Sequence, residues 1–301
     1  MAINHTTPRW QGYLAAFTVV CCWTGFNIVS RLGGKSVLTP FDVAALRFLV
    51  SGIVMVPVFF IFGNQLKKRQ LLTIGTVGGF GYALCAYSGF MFAPAAHAGI
   101  IINGGIPLAT AGIAWIFLKD KPKPLSLFAL CLAALGVAII SLHSLNTHSI
   151  DTPHVIWGDI FFILAALAWS TFGILVRIWH IRPVDAMSGI GVTSLLIYIP
   201  IYLLFLPKGI QDASLSTIVL QGFYQGIIAA LVAGFFYTFA TLVLGSGAAS
   251  LTLAIVPGTS AILAVPFLNE AITWTTGAGV VLVSIGALLG VRAKKEKASS
   301  A

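Results

Sequence analysis

Two stretches decide how this chain reads: PLATAGIAWIFLKD at residues 107–120 and PGTSAILAVPFLNE at residues 257–270. Each starts at a proline, passes through small residues to Phe-Leu, and ends on an acid. Pro107, Ala111, Ala114, Phe117, Leu118 and Asp120 thus meet Pro257, Ala261, Ala264, Phe267, Leu268 and Glu270. The match extends in both directions. Tyr87, Ala98 and Gly136 answer to Tyr237, Ala248 and Gly286. Earlier in each copy, Gly12, Trp23, Phe26 and Arg31 answer to Gly158, Trp169, Phe172 and Arg177, and Pro40, Asp42, Ser51 and Pro57 to Pro183, Asp185, Ser194 and Pro200.

Each copy carries five hydrophobic spans. They fall at roughly 12–30, 42–62, 71–92, 97–118 and 125–142, then 158–178, 185–206, 218–243, 247–267 and 274–291. Spans of this length read as membrane helices, since a hydrocarbon core of about 30 Å needs roughly 20 residues. Five crossings are an odd number, so the second copy must enter from the opposite face. The expected fold is all-α: ten transmembrane helices as two inverted five-helix repeats, residues 1–146 and 147–301, in one integral membrane domain with a basic tail. Inverted repeats of this kind belong to alternating-access transporters.

Composition excludes most other classes. Hydrophobic residues make up 58% and charged residues 8%, against about 25% charged in soluble domains. Most spans are apolar all round, which a water-soluble helix is not. Segments of alternating polarity that would build a β-barrel are absent. The net charge of +9 follows topology rather than nucleic acid. With the N-terminus inside, one side of the membrane receives Arg9, Lys67, Lys68, Arg69, Lys119, Lys121, Lys123, Arg177, Arg182, Arg292, Lys294, Lys295 and Lys297. The other receives Arg31, Lys35 and Lys208, and Arg47 lies within the second span. This asymmetry places both termini in the cytoplasm of a plasma-membrane (bacterial inner-membrane) protein. The first span has no cleavage site behind it and is expected to be retained. Cys21, Cys22, Cys85 and Cys131 all sit in spans at spacings that suit neither a metal nor a disulfide framework. His143, His148 and His154 are scattered along the linker between the halves and make no zinc pattern.

Prolines at matched depth point to a site. A mid-helix proline frees a backbone carbonyl, and at membrane depth such a group is tolerated only where protein or an aqueous cavity receives it. Pro107 and Pro257 therefore suggest a midplane cavity between the repeats. Asn103, one turn before Pro107, is an amide at that depth. Trp23 and Trp169 lie deep in their spans, unlike Trp10, Trp115, Trp157, Trp179 and Trp274 near span ends, and an indole N–H needs a partner there. Asn27 and Ser30 continue the stripe of Trp23 along one helical face, as Phe172 continues that of Trp169. With Tyr82, Tyr87 and Tyr237, these residues outline a central pocket of aromatic rings with a few polar handles.

Asp42, Asp120, Asp159, Asp185 and Glu270 all lie at span ends, where they can cap helices or face water, and Asp42 and Asp185 suit a helix N-terminus. Arg47 can snorkel or line a cavity mouth. One arginine is a poor clamp for phosphate. The Gly245-Ser246-Gly247 turn has no histidine in a span to activate a serine, and no catalytic or metal-ligand set appears. The chain is expected not to be an enzyme and to need no cofactor.

From Gly12 to Val291 the chain resembles the drug/metabolite transporter superfamily, in particular its ten-helix EamA branch. The Pro107–Asp120 and Pro257–Glu270 segments carry the likeness most specifically. The family pattern usually has Glu where Asp120 stands. Ala45-Leu46-Arg47-Phe48 resembles the family's second-helix arginine motif, replaced by Ile190 in the second copy. The resemblance implies a central cavity lined by the first, third, fourth, sixth, eighth and ninth helices. The high aromatic content looks like that of bacterial aromatic amino acid exporters. Together these imply a carrier of a small-molecule substrate in a lipid bilayer, without nucleic acid. The expected substrate is an aromatic or other apolar amino acid. The alternative is a drug or metabolite exporter of broad specificity.

Overall fold

The computed structural model describes residues 7–119, 124–146 and 154–299; Asp120 and His148 lie outside the described residues. The regular structure among the described residues is helical. The long elements are α1 (Arg9–Gly34), α2 (Pro40–Ile61), α3 (Lys68–Phe92), α4 (Ala95–Leu118) and α5 (Pro124–Asn146). They are followed by α6 (Val155–Trp179), α7 (Pro183–Phe205), α8 (Leu215–Leu244), α9 and α10 (Trp274–Ser299). Helix α9 is built of Ser246–Thr252, a 3-10 turn at Leu253–Ile255, and Val256–Leu268. Among the described residues, α1–α4 and α6–α8 are seven helices long and apolar enough to cross a bilayer. Helices α5, α9 and α10 add shorter apolar stretches at Pro124–Gly136, Val256–Leu268 and Trp274–Gly286.

Helix boundaries follow local chemistry. Thr39 and Asp42 close a reciprocal capping box at the start of α2, which satisfies amide groups that the first turn leaves open. Pro183 starts α7 in a position where no N–H is missed. Helices α4 and α9 end on left-handed residues, Lys119 and Asn269, so both copies stop at the residue before the matched acid.

The prolines disturb their helices just upstream. Pro107 cannot donate to the carbonyl of Asn103, and α4 opens into a π turn over Gly99–Asn103. Pro257 cannot donate to Leu253, and α9 tightens into its 3-10 turn from Leu253. No proline announces two further π segments, Gly75–Phe80 in α3 and Tyr224–Val232 in α8. These too occupy matched places in the two copies. Gly79 leaves helical geometry altogether inside the first, at φ −110° and ψ −119°.

Packing exchanges partners between the halves. Helix α1 packs on α8 and α9, while α6 packs on α3 and α4; α2 packs on α7, and α5 on α10. Matched glycines let α5 and α10 cross closely. A Cβ on Gly136 would lie 2.8 Å from the Gly279 carbonyl oxygen, and one on Gly286 would lie 2.6 Å from that of Ala129. Small residues let backbones approach where lipid supplies no hydrophobic drive.

Loop contacts sort the helix ends into two groups. At one end Arg31 reaches Glu270 and the Phe90 carbonyl, Thr39 reaches Pro207, and His97 reaches Asp159. At the other, Asn64 donates to the Asp185 carbonyl, while Trp10, Phe62 and Arg182 line one groove. Among the described residues Arg9, Lys67, Lys68, Arg69, Lys119, Arg177 and Arg182 belong to this second, basic end.

The α3–α6 crossing offers a stability test. A Cβ on Gly158 would stand 2.6 Å from Ala93 Cβ and 2.9 Å from both Ala93 N and the Gly89 carbonyl. We expect Gly158→Val to destabilise the detergent-solubilised protein by roughly 1–3 kcal/mol, the usual cost of overpacking. Gly112→Ala, into open space, should leave the melting temperature unchanged. Thermal unfolding followed by size-exclusion chromatography measures both.

Candidate functional site

The deepest tryptophans meet. Trp23 of α1 and Trp169 of α6 pack edge to face, with ring centroids 5.1 Å apart and planes at 75°. Tyr237 of α8 closes a triangle, 5.6 Å from Trp23 and 5.4 Å from Trp169. Tyr82 of α3 lies 4.8 Å from Trp169, and Phe172 lies 5.0 Å away, one turn along α6. Five of the ten residues singled out from sequence therefore form one cluster around Trp169, itself 2% exposed. Edge-to-face and offset pairs of this kind are worth about 0.5–1.5 kcal/mol each beyond burial. The rings touch one another and fill the space they were expected to wall.

The indole Nε1 of Trp169 and the Thr241 Oγ1 both approach the Tyr237 hydroxyl. None of these contacts meets the geometry of a full hydrogen bond. The cluster therefore contains polar atoms that a guest could satisfy.

Tyr87 belongs to a second, polar group beside the rings. Arg47 Nη1 donates to Tyr87 Oη at 3.2 Å, and Tyr87 donates to Gln225 Oε1 at 3.0 Å. Gln225 Nε2 donates to Ser30 Oγ at 3.0 Å and to Gln221 Oε1 at 3.2 Å, and Gln221 Nε2 donates to the Val29 carbonyl at 2.7 Å. Every member is buried. Gln221 and Gln225 went unnoticed in the sequence, although two glutamines four apart in an apolar span share one helical face.

Asn27 is held differently. Its Nδ2 donates to Ser260 Oγ of α9 at 2.8 Å, while its Oδ1 has no partner. Thr24 and Thr259 form a neighbouring rung at 2.6 Å. A Cβ on Gly99, where the π turn of α4 begins, would lie 3.2 Å from Pro257 Cα and 3.6 Å from Asn27 Nδ2. The disturbed part of α4 and the proline of α9 thus meet beside Asn27. Asn103 is buried at the end of that π turn, with no ring or hydrogen-bond contact to the cluster. Pro107 is fastened nearby, because the Ile106 carbonyl accepts from Ser170 Oγ at 3.1 Å, next to Trp169.

Of the alternatives open to the charged residues, the enclosed one is taken each time. Arg47 does not snorkel: it is 4% exposed and lines a small cavity. Asp42, Asp159 and Asp185 do sit at helix ends, but all three are buried rather than facing water. Asp42 accepts from Tyr202, Thr39 and the Gly209 amide, Asp185 takes both bonds of the Arg182 fork, and Asp159 pairs with His97 Nδ1 at 2.9 Å.

Open space is unevenly distributed. Beside Arg47 a cavity of about 10 Å³ is lined by Ser51, Trp169, Met187 and Ile190, room for about one water. A groove of about 530 Å³ opens at the basic end, lined by Trp10, Leu14, Val58, Phe62, Arg182 and Phe239 among others.

The polar group can be probed apart from function. Gln225→Leu preserves volume but strips Tyr87 and Ser30 of a partner. It should cost roughly 1–3 kcal/mol, the penalty of unmet buried groups. Chemical denaturation in mild detergent is the measurement, and unchanged stability would show that the network carries no load.

Comparison with known proteins now adds to this geometry. The sequence model of the EamA-like transporter family matches residues 10–142 and again residues 156–292. The chain is 21% identical to the uncharacterised transporter YetK of Bacillus subtilis (strain 168), over 84% of this chain and 78% of that protein. It is 24% identical to an uncharacterised transporter of Clostridium kluyveri, over 95% and 94% of the two chains. A protein of known crystal structure superposes with a TM-score of 0.67 at 19% identity, covering 95% of this chain and 98% of that one; at that identity the likeness speaks to fold alone. The chain belongs to the EamA-like transporter family.

Proposed function

We propose that this membrane transporter exports amino acids with aromatic or other apolar side chains through its centre by alternating access. The observation that carries the reading is the ring cluster around Trp169, contributed by α1, α3, α6 and α8 and holding unmet polar atoms at its core. In this proposal Trp23, Tyr82, Tyr87, Trp169, Phe172 and Tyr237 contact the substrate side chain. Asn27, Asn103 and the carbonyls freed by Pro107 and Pro257 receive its polar end.

The rings of the cluster touch one another, so passage of such a solute between them requires the rings to separate. The matched π segments of α3 and α8 supply places where those helices can give, as π turns often do at functional sites. The two family matches and the exchange of packing partners favour ten crossings in two inverted repeats, divided as residues 1–146 and 147–301. Basic residues gathered at one end favour a plasma-membrane orientation with both termini in the cytoplasm. In that orientation the groove at the basic end faces the compartment from which an exporter loads. Movement down the substrate's own gradient, or exchange, fits a centre whose described carboxylates all lie at helix ends.

The test is flux from proteoliposomes preloaded with radiolabelled phenylalanine, threonine or a cationic dye. Selective phenylalanine efflux is the expected result; dye efflux at equal rate favours the broad-specificity reading, and no flux of any solute removes the proposal. Trp169→Ala should reduce phenylalanine flux at least about tenfold, as truncation of a buried tryptophan anchor does. Because that variant also opens a cavity worth roughly 3–5 kcal/mol, Trp169→Phe is the control, and it should retain partial flux. A pH gradient that drives uphill accumulation would overturn passive transport and direct attention to His97 and Asp159.

A further inference from the structure

Arg47 is a cation with no counter-ion among the described residues. It sits on α2 with 4% of its surface exposed, and its guanidinium touches no carboxylate among the described residues. Its one hydrogen bond there goes to Tyr87, a neutral phenol, and uses Nη1. Nε is buried with no partner. The face of Phe48, 6.0 Å away, gives only weak compensation. A buried charge is costly unless paired and hydrogen-bonded, and a guanidinium cannot escape by losing its proton. The residue is thus held in its least favourable condition, next to the small cavity that it shares with Trp169 and Ile190.

The surroundings also have a direction. Tyr87 occupies one corner of the fork and leaves the Nε side, the edge that binds a carboxylate through two parallel bonds. Tyr87 is in turn fixed by Gln225, and Gln225 by Ser30 and Gln221, so the guanidinium has a preset orientation. Across the same cavity stands Ile190, the residue that replaces Arg47 in the second copy, with Met187 and the indole of Trp169. Apart from Arg47 and the Ser51 hydroxyl, the lining is apolar.

We infer that Arg47 is the anion-recognition residue of the central site, and that the transported solute carries a carboxylate, which pairs with the Nε edge of Arg47 while its apolar part lies against Trp169 and Ile190. This rests on the preceding reading of where the solute binds, and narrows it. Amines without a carboxylate and cationic drugs are excluded, since each would place a second positive charge beside an unpaired one. A phosphate ester is disfavoured, because a single fork meets only part of its charge.

Saturable quenching of tryptophan fluorescence in the purified full-length protein tests this, because Trp169 lines the same cavity. The probes are phenylalanine, 3-phenylpropionate, phenethylamine and sodium chloride. Phenylalanine or 3-phenylpropionate should saturate the signal, and phenethylamine, with the same ring and no carboxylate, should bind at least about tenfold more weakly, as loss of a charged hydrogen-bonded pair predicts. Arg47→Gln should abolish that preference and Arg47→Lys should restore part of it. Equal binding of phenethylamine, saturation by chloride alone, or failure of both carboxylates to bind overturns the inference. The wild-type comparison decides even if Arg47→Gln does not accumulate. Failure of the wider reading looks different: 3-phenylpropionate bound through Arg47, with no phenylalanine bound or moved, would leave the carboxylate site standing and remove the amino acid.

Discussion

Deep in α1 no water is within reach, so Thr24, Asn27 and Ser30 must be answered by protein or not at all, while Arg31 fastens the end of the helix. Each is answered from the other half of the chain: Thr24 by Thr259, Asn27 by Ser260, Ser30 by Gln225, and Arg31 by Glu270. The rest of the architecture depends on this arrangement. Apolar surfaces in lipid gain little from leaving it, because acyl chains are as apolar as leucine. Helix pairing is then decided by polar rungs and by how closely backbones can approach. The rungs select α8 and α9 as neighbours of α1, and the glycines make room for them.

The same economy explains why the ends are fastened more firmly than the middle. Glu270 accepts from Arg31 Nε and from the Ala95 amide, with Lys35 Nζ 3.3 Å away. Asp42 and Asp185 are similarly saturated, and Asp159 is the exception, since its Oδ2 has no partner. Near the middle, by contrast, Asn27 Oδ1, Arg47 Nε and Trp169 Nε1 remain unmet. A fold that satisfied its centre as fully as its ends would be more stable and would have nothing to offer a guest. The unmet groups and the π turns lie in the same part of the bundle.

The helical membrane class and the duplication were legible because lipid imposes a coarse rule. Span length and the offset between the PLATAGIAWIFLKD and PGTSAILAVPFLNE stretches needed no knowledge of packing, and the family model matches the chain twice. Trp23, Trp169 and Tyr237 were found because aromatic residues at matched depth stand out. What escaped was whatever depends on side chains meeting. Gln221 and Gln225 look like isolated polar residues until Tyr87 and Ser30 are placed against them. His97 and Asp159 look like separate helix-end residues until α4 and α6 bring them to 2.9 Å. The π segments of α3 and α8 escaped because no proline announces them. Asn27, Ser30, Tyr87 and Arg47 lie in the first half, but Ser260, Gln221 and Gln225 in the second half hold or orient them.

The crossed indoles have one more property. Two identical chromophores 5.1 Å apart and inclined at 75° share their excited states, and such a pair gives a signed circular-dichroism couplet in the ultraviolet. Its strength falls steeply as the rings part. Trp23 and Trp169 come from different halves of the chain, so the couplet belongs to neither half alone. The protein carries a native optical gauge of whether its two halves are in contact at the centre, with no label to perturb the packing it would report.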